Sequence, residues 1–126
     1  MSEFIGNLDV RLIEDTPQGL WMHLAPFSFY SSVQDVQIVA HLYDTTDFMT
    51  VYRIPVVYCK IGNRGRKLGA IHDAAYRYAK INGISRRQCD DLILEMGPMC
   101  GFSKAETWEI YVFVRMCGQP YFERAR

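Results

Sequence analysis

The 126-residue chain has no excess of charge: 14 Lys and Arg stand against 14 Asp and Glu, with three His. A protein held to DNA, RNA or an anionic membrane by its overall field needs a basic surplus, so nucleic-acid binding is not expected. A local basic group remains at Lys60, Arg64, Arg66 and Lys67. Long apolar runs are missing too. No stretch approaches the roughly 20 residues that cross a bilayer, so no membrane span is expected. The opening MSEFIGNLDV has neither a basic start nor an apolar run, so no export leader is expected. The four cysteines, Cys59, Cys89, Cys100 and Cys117, contain no C-x-x-C pair, which argues against a zinc site. A chain of this length buries a core without disulfides, so the thiols are expected to be free and mostly buried, in a reducing cytoplasm. Repeats, low-complexity segments and linkers are absent. Residues 1–126 therefore read as one domain.

What is present changes character near the middle. Residues 1–62 read mainly as strands and loops. DVRLIED (Asp9–Asp15) alternates, TPQG turns, and LWMHLAPFSFYSS (Leu20–Ser32) carries aromatics that suit a pleated surface. In QIVAHLYD (Gln37–Asp44), Ile38, Ala40 and Leu42 alternate against Gln37, Val39 and His41. VYRIPVVYCKIG (Val51–Gly62) reads as an edge strand or extended loop because of Pro55. Gly62-Asn63-Arg64-Gly65 is a turn. Residues 63–126 read mainly as helices. Leu68, Ile71, Ala75, Tyr78 and Ile81 recur at helical spacing up to a stop at Asn82-Gly83. Ser85-x-x-Gln88 opens a second helix with Cys89, Leu92, Ile93 and Met96 as its stripe, ended by Gly97-Pro98. Ser103-x-x-Glu106 opens a third, carrying Ala105, Trp108, Val112 and Met116 and closed by Gly118 and Pro120. The expected fold is a small α+β domain, N-terminal antiparallel strands followed by three helices.

Helical geometry sorts the charges of the first two helices. His72 shares a face with Ala75, Tyr76 and Ala79, while Asp73 shares one with Arg77 and Lys80. Asp91 lines up with Arg87 and Glu95 in a charged row. Asp90 lines up with Ile93, Leu94 and Gly97, an apolar face on which a carboxylate needs a partner. A short connection packs the two helices antiparallel. Asp90 can then accept a hydrogen bond from one nitrogen of His72 and leave the other as a base or metal ligand. The same pairing equally describes a bridge that only ties two helices together. If the loop TDFMTVYR folds over this pair, Asp47 and Asp73 converge with His72 and Asp90. Three carboxylates and an imidazole suit a divalent cation, calcium or zinc.

TDFMTVYR (Thr46–Arg53), then IHDAAYR (Ile71–Arg77), then CDD (Cys89–Asp91) resembles the phage-enriched domain of unknown function 1353 family. Thr46, Asp47, Phe48, Val51 and Arg53 match its first element, with Thr50 where serine is usual and Tyr52 where proline is usual. His72, Asp73 and Tyr76 match the second element and Asp90 the third. The similarity covers roughly residues 20–97. HDAAY followed by CD also resembles, locally, the active-site helices of secreted phospholipase A2. By that likeness His72 is the base, Asp90 its partner and Asp73 a calcium ligand. The glycine-rich calcium loop and the disulfides of those enzymes are missing, and Ala75 replaces a bridging cysteine.

Two functions follow as expectations. One is a phage-encoded hydrolase acting on an ester or amide of the host envelope. In it His72 and Asp90 are catalytic, Thr50, Arg53 and Tyr76 serve the substrate or its loop, and Asp47 and Asp73 hold metal. The other is a virion accessory protein of tail or capsid, with a structural His-Asp pair and exposed apolar surface at Phe27, Phe29, Tyr30, Tyr58 and Pro120-Tyr121-Phe122. Either would reside in the host cytoplasm during infection, the second also in the particle.

Overall fold

The computed structural model describes residues 1–14, 20–46 and 65–125. Among these residues two small antiparallel sheets precede five helices, an α+β arrangement. The first sheet has the order β1 (Glu3–Ile5), β4 (Phe27–Ser31), β5 (Val36–Ala40). The second has the order β2 (Val10–Glu14), β3 (Leu20–His23), β6 (Thr45–Thr46). The aromatic run 20–32 therefore supplies one strand to each sheet, the chain crossing over at Leu24-Ala25-Pro26. Proline withholds a ladder donor, which fits the break.

Strand β4 is central and paired on both sides, and Phe27 and Phe29 have no exposure. They were expected on the surface. A central strand under a helix is buried, and Phe4 stacks on Phe27 at 5.7 Å. Phe122 is buried as well, while Tyr58 lies outside the described residues. Strand β5 stops at Ala40, short of the expected Asp44. The carboxylate of Asp44 accepts the amide of His41 at 3.0 Å and closes a turn, with Tyr43 at positive φ and Leu42 exposed.

Helix α1 (Arg66–Arg77) packs on β5, and its Leu68, Ile71 and Ala75 are buried in the core. The chain pauses at Tyr78 and resumes as α2 (Ala79–Asn82), capped by Gly83 in the left-handed region at φ 68°. That break leaves Ile81, expected on the apolar stripe, 82% exposed. Helix α3 (Arg86–Met99) opens on the expected capping box, and Cys89, Leu92, Ile93 and Met96 are all fully buried. It runs one turn past the expected end, taking Pro98 into its last turn. Helix α4 (Lys104–Cys117) also opens on its capping box. Its inward face is Thr107, Ile110 and Val114, however, and the expected stripe points outward, Trp108 at 57% and Met116 at 74% exposure. The helix has two apolar faces, and the smaller side chains fit against α3. There a Cβ on Gly97 would come within 2.8 Å of the Thr107 Cβ, closer than atoms pack. Gly118 ends α4, but Pro120 does not end the helical region. It sits in the first turn of α5 (Gln119–Ala125), where a missing N–H costs nothing. The expected order of strands followed by helices holds, with five helical segments among the described residues where three helices were expected.

Candidate functional site

Three helices meet at one buried carboxylate, and a fourth packs against them. His72 and Tyr76, one turn apart on α1, face Asp90 on α3 across the α1–α3 seam. The His72 Nε2 lies 2.8 Å from Asp90 Oδ1, and the Tyr76 hydroxyl donates to the same oxygen at 2.5 Å. The other oxygen accepts from Arg115 Nη1 of α4 at 2.8 Å, with Arg86 Nε 3.6 Å away. The His72 and Tyr76 rings lie 4.2 Å apart, and Phe122 of α5 packs edge-on against Tyr76 at 5.1 Å. His72 and Asp90 have no solvent exposure.

These contacts set the charges. Burial pushes the Asp90 carboxyl up, but the hydrogen bonds from His72, Tyr76 and Arg115 outweigh it and hold it below the usual carboxylate value. Burial, then the bond to Asp90, pushes the Tyr76 phenol far up, so it stays a donor. With Asp90 ionised, His72 donates its Nε2–H to the carboxylate, which leaves Nδ1 as the other polar atom of the ring. That Nδ1 is buried and finds no hydrogen-bond partner among the described residues. Cys89 is no nucleophile: burial pushes its thiol up to about 12, and it donates to the Ala75 carbonyl.

Two arginines complete the centre that the carboxylate-and-imidazole pattern does not reveal. Arg86 stands one turn before Asp90 on the same helix, a spacing visible in the sequence. Arg115 comes from α4, and no sequence spacing signals it. Arg86 also ties the site to the end of α4, donating from Nη2 to the carbonyls of Val114 at 2.8 Å and Arg115 at 2.7 Å. This region is packed to contact. A Cβ at Gly118 would sit 2.6 Å from the Tyr76 hydroxyl and 2.6 Å from the Val114 carbonyl. Gly118→Ala is accordingly expected to push Tyr76 off Asp90 and destabilise the fold by about 1–3 kcal/mol in chemical denaturation.

The other expected site residues do not join this centre. Asp73 lies on the other side of α1 and accepts the Thr46 hydroxyl. It borders a shallow surface recess lined by Ala70, Asp73, Ala74 and Arg77 of α1 together with His23, Asp44 and Thr46. At 100° per residue, that α1 face points away from His72, Ala75 and Ala79. The expected convergence of Asp73 with His72 and Asp90 is therefore not found. Asp47, Thr50 and Arg53 lie outside the described residues. Among the described residues no group of three His, Cys, Asp or Glu could hold a metal ion. Asp91, expected in a solvated row, accepts the Tyr111 hydroxyl at 2.9 Å. Its neighbour Glu95 accepts the hydroxyls of Ser2 and Ser31 and ties α3 to the first sheet. No described helix is long and apolar enough to cross a membrane.

Residues 21–114 match the family DUF1353, described as protein of unknown function. No curated protein and no solved structure matches the chain, and the local likeness to phospholipase A2 finds no support.

Proposed function

The chain belongs to the DUF1353 family, and from that premise we propose that it is a bacteriophage-encoded virion accessory protein, a tail or capsid component, whose His72–Asp90 pair is structural. The observation that carries this is burial. Both side chains are fully enclosed, and the recess bordered by Asp73 lies across α1 from them. A carboxylate held by donors from three positions on α1 and α4 is what a tie between helices requires. The phage setting rests on the family resemblance. An accessory protein also needs apolar surface for its neighbours, and the outward face of α4 offers Trp108 and Met116, with Val112 half-buried. Mass spectrometry of purified particles of the encoding phage is expected to find the protein. Its absence from them counts against the assignment.

One observation favours the hydrolase alternative, in which the centre acts on an ester or amide of the host envelope. Nδ1 of His72 is buried without a partner among the described residues, while Asp90 fixes the opposite nitrogen. That is the orienter-and-base half of a hydrolytic site, and it would need the helices to part before a substrate reached it. Calcium or zinc on Asp47 and Asp73 would belong to this alternative. His72→Ala separates the two. The structural tie expects a loss of about 2–4 kcal/mol, from a cavity and a missing donor, with no hydrolysis of envelope extracts by either protein. A hydrolase expects the wild-type protein to cleave, and His72→Ala to lose cleavage while its melting temperature barely moves.

A further inference from the structure

His23 ends β3 and is 1% exposed. It sits where three elements meet. Its amide donates to the Asp44 carbonyl at 2.8 Å, and its carbonyl accepts the Tyr43 amide at 2.9 Å, which pins the 41–44 turn to the strand. Beyond the ring stands α1, whose Asp73 and Arg77 border the same recess. The imidazole Nδ1 finds no hydrogen-bond partner among the described residues. Polar groups buried in this way ordinarily have one.

We propose that His23 is an acid-sensitive latch between the β2–β3–β6 sheet and α1: neutral, it lets the two close over one another, and protonated, it becomes a buried cation whose need for water drives them apart.

Burial decides the direction, and the charged groups around the ring do not reverse it. The carboxylate of Asp44 is already engaged, by the Tyr78 hydroxyl at 2.6 Å, the His41 amide at 3.0 Å and Arg77 at 3.8 Å. Asp73 accepts the Thr46 hydroxyl. On the β2 side Asp9 offers its backbone carbonyl, which takes the Leu24 amide. His41 packs edge-on against Tyr78 at 5.1 Å, and its own side chain is exposed. Among the described residues these carboxylates thus have other partners, and Arg77 spans the seam, donating to the Thr45 carbonyl at 2.8 Å. Burial lowers the His23 pKa from its ordinary 6.5, Asp44 raises it and Arg77 lowers it again, the balance being downward. A base whose pKa falls on folding binds fewer protons when folded. Its contribution to stability is complete above 6.5 and is lost as pH falls from there through the folded value. The same protonation would leave the α3–α4 pair untouched, since it lies on the other side of α1.

The test is a long-range proton–nitrogen NMR titration of the full chain together with hydrogen exchange. The expected result is an unprotonated Nδ1 at neutral pH and a His23 midpoint below 6.5. The Tyr43 amide should lose protection through that midpoint while α3 keeps its own. In thermal melts from about pH 7.5 to about pH 5, wild type should lose several degrees that His23→Gln does not, and His41→Gln should behave as wild type. A His23 midpoint at or above 6.5, or equal pH dependence in wild type and His23→Gln, overturns the latch. Should His23→Gln fail to fold, the titration of the wild-type ring decides alone.

Discussion

Asp90→Ala is expected to cost the fold about 3–5 kcal/mol, the range for removing one partner of a buried ion pair. For a domain of this size that lowers the melting temperature by roughly 10–20 °C. The reason lies in what is left behind. His72 Nε2, the Tyr76 hydroxyl and the Arg115 guanidinium all donate to this one carboxylate. Without it, the imidazole and the phenol lose their acceptor in a closed interior and the half-buried Arg115 loses its partner, and each stranded buried donor costs about 1–3 kcal/mol. Asp90→Asn should fall between alanine and wild type, since it keeps an oxygen for His72 and Tyr76 but presents an amide to Arg115. Calorimetry or circular dichroism checks the order. If Asp90→Ala stays within about 1 kcal/mol of wild type, the centre does not hold the helices together.

The same carboxylate gives a dependence on acid with a definite sign. Its pKa is lowered from an ordinary 3.8, so the folded state holds its proton less tightly than the unfolded chain does. The stability it contributes is present above 3.8 and is lost as pH falls below that value through the folded one. Asp90→Asn should remove this acid step while leaving the separate, milder-acid step of His23 in place, because the two groups lie on opposite sides of α1.

The sequence showed the half of the site that helical spacing controls. His72, Tyr76 and Asp90 each follow from the angular position of a residue on its helix and from a short connection between two helices. Spacing cannot say which of two apolar faces a helix turns inward. On α4 the larger side chains, Trp108 and Met116, mark the more apolar stripe, yet the close approach of Gly97 to Thr107 accepts only the smaller face. With α4 read the wrong way round, Arg115 had no place near Asp90. The burial of Phe27 and Phe29 escaped for a related reason. Their strand is central only because Glu3–Ile5 pairs with it, and a three-residue strand at the start of a chain leaves no periodicity to read. The capping boxes at Ser85 and Ser103 were legible because they are local, each completed within four residues.

Arg86→Met should destabilise by about 2–4 kcal/mol, an amount set by hydrogen bonds to charged groups. A surface arginine lost from a helix would cost far less. Its side chain is only 15% exposed, and it works in two places. Nη2 caps the last turn of α4 through the Val114 and Arg115 carbonyls, and Nη1 reaches Gln119 Oε1 of α5 at 3.2 Å. Nε points at Tyr76 and Asp90. The Val114 carbonyl keeps the Gly118 amide at 2.8 Å, so the unshared losses fall on the Arg115 carbonyl and on the charge of Asp90. Arg86→Lys should recover less than half of the loss, because one ammonium cannot hold two carbonyls and face the carboxylate at once. The amides closing α4 should then exchange faster than those of α3. The decisive comparison is the double variant. If Arg86 stabilises chiefly by facing Asp90, combining Arg86→Met with Asp90→Ala costs less than the sum by about 1–3 kcal/mol, since the second change removes what the first had left unpaired. If the two add, the arginine acts on α4 alone, and Asp90 is held by Arg115 without it.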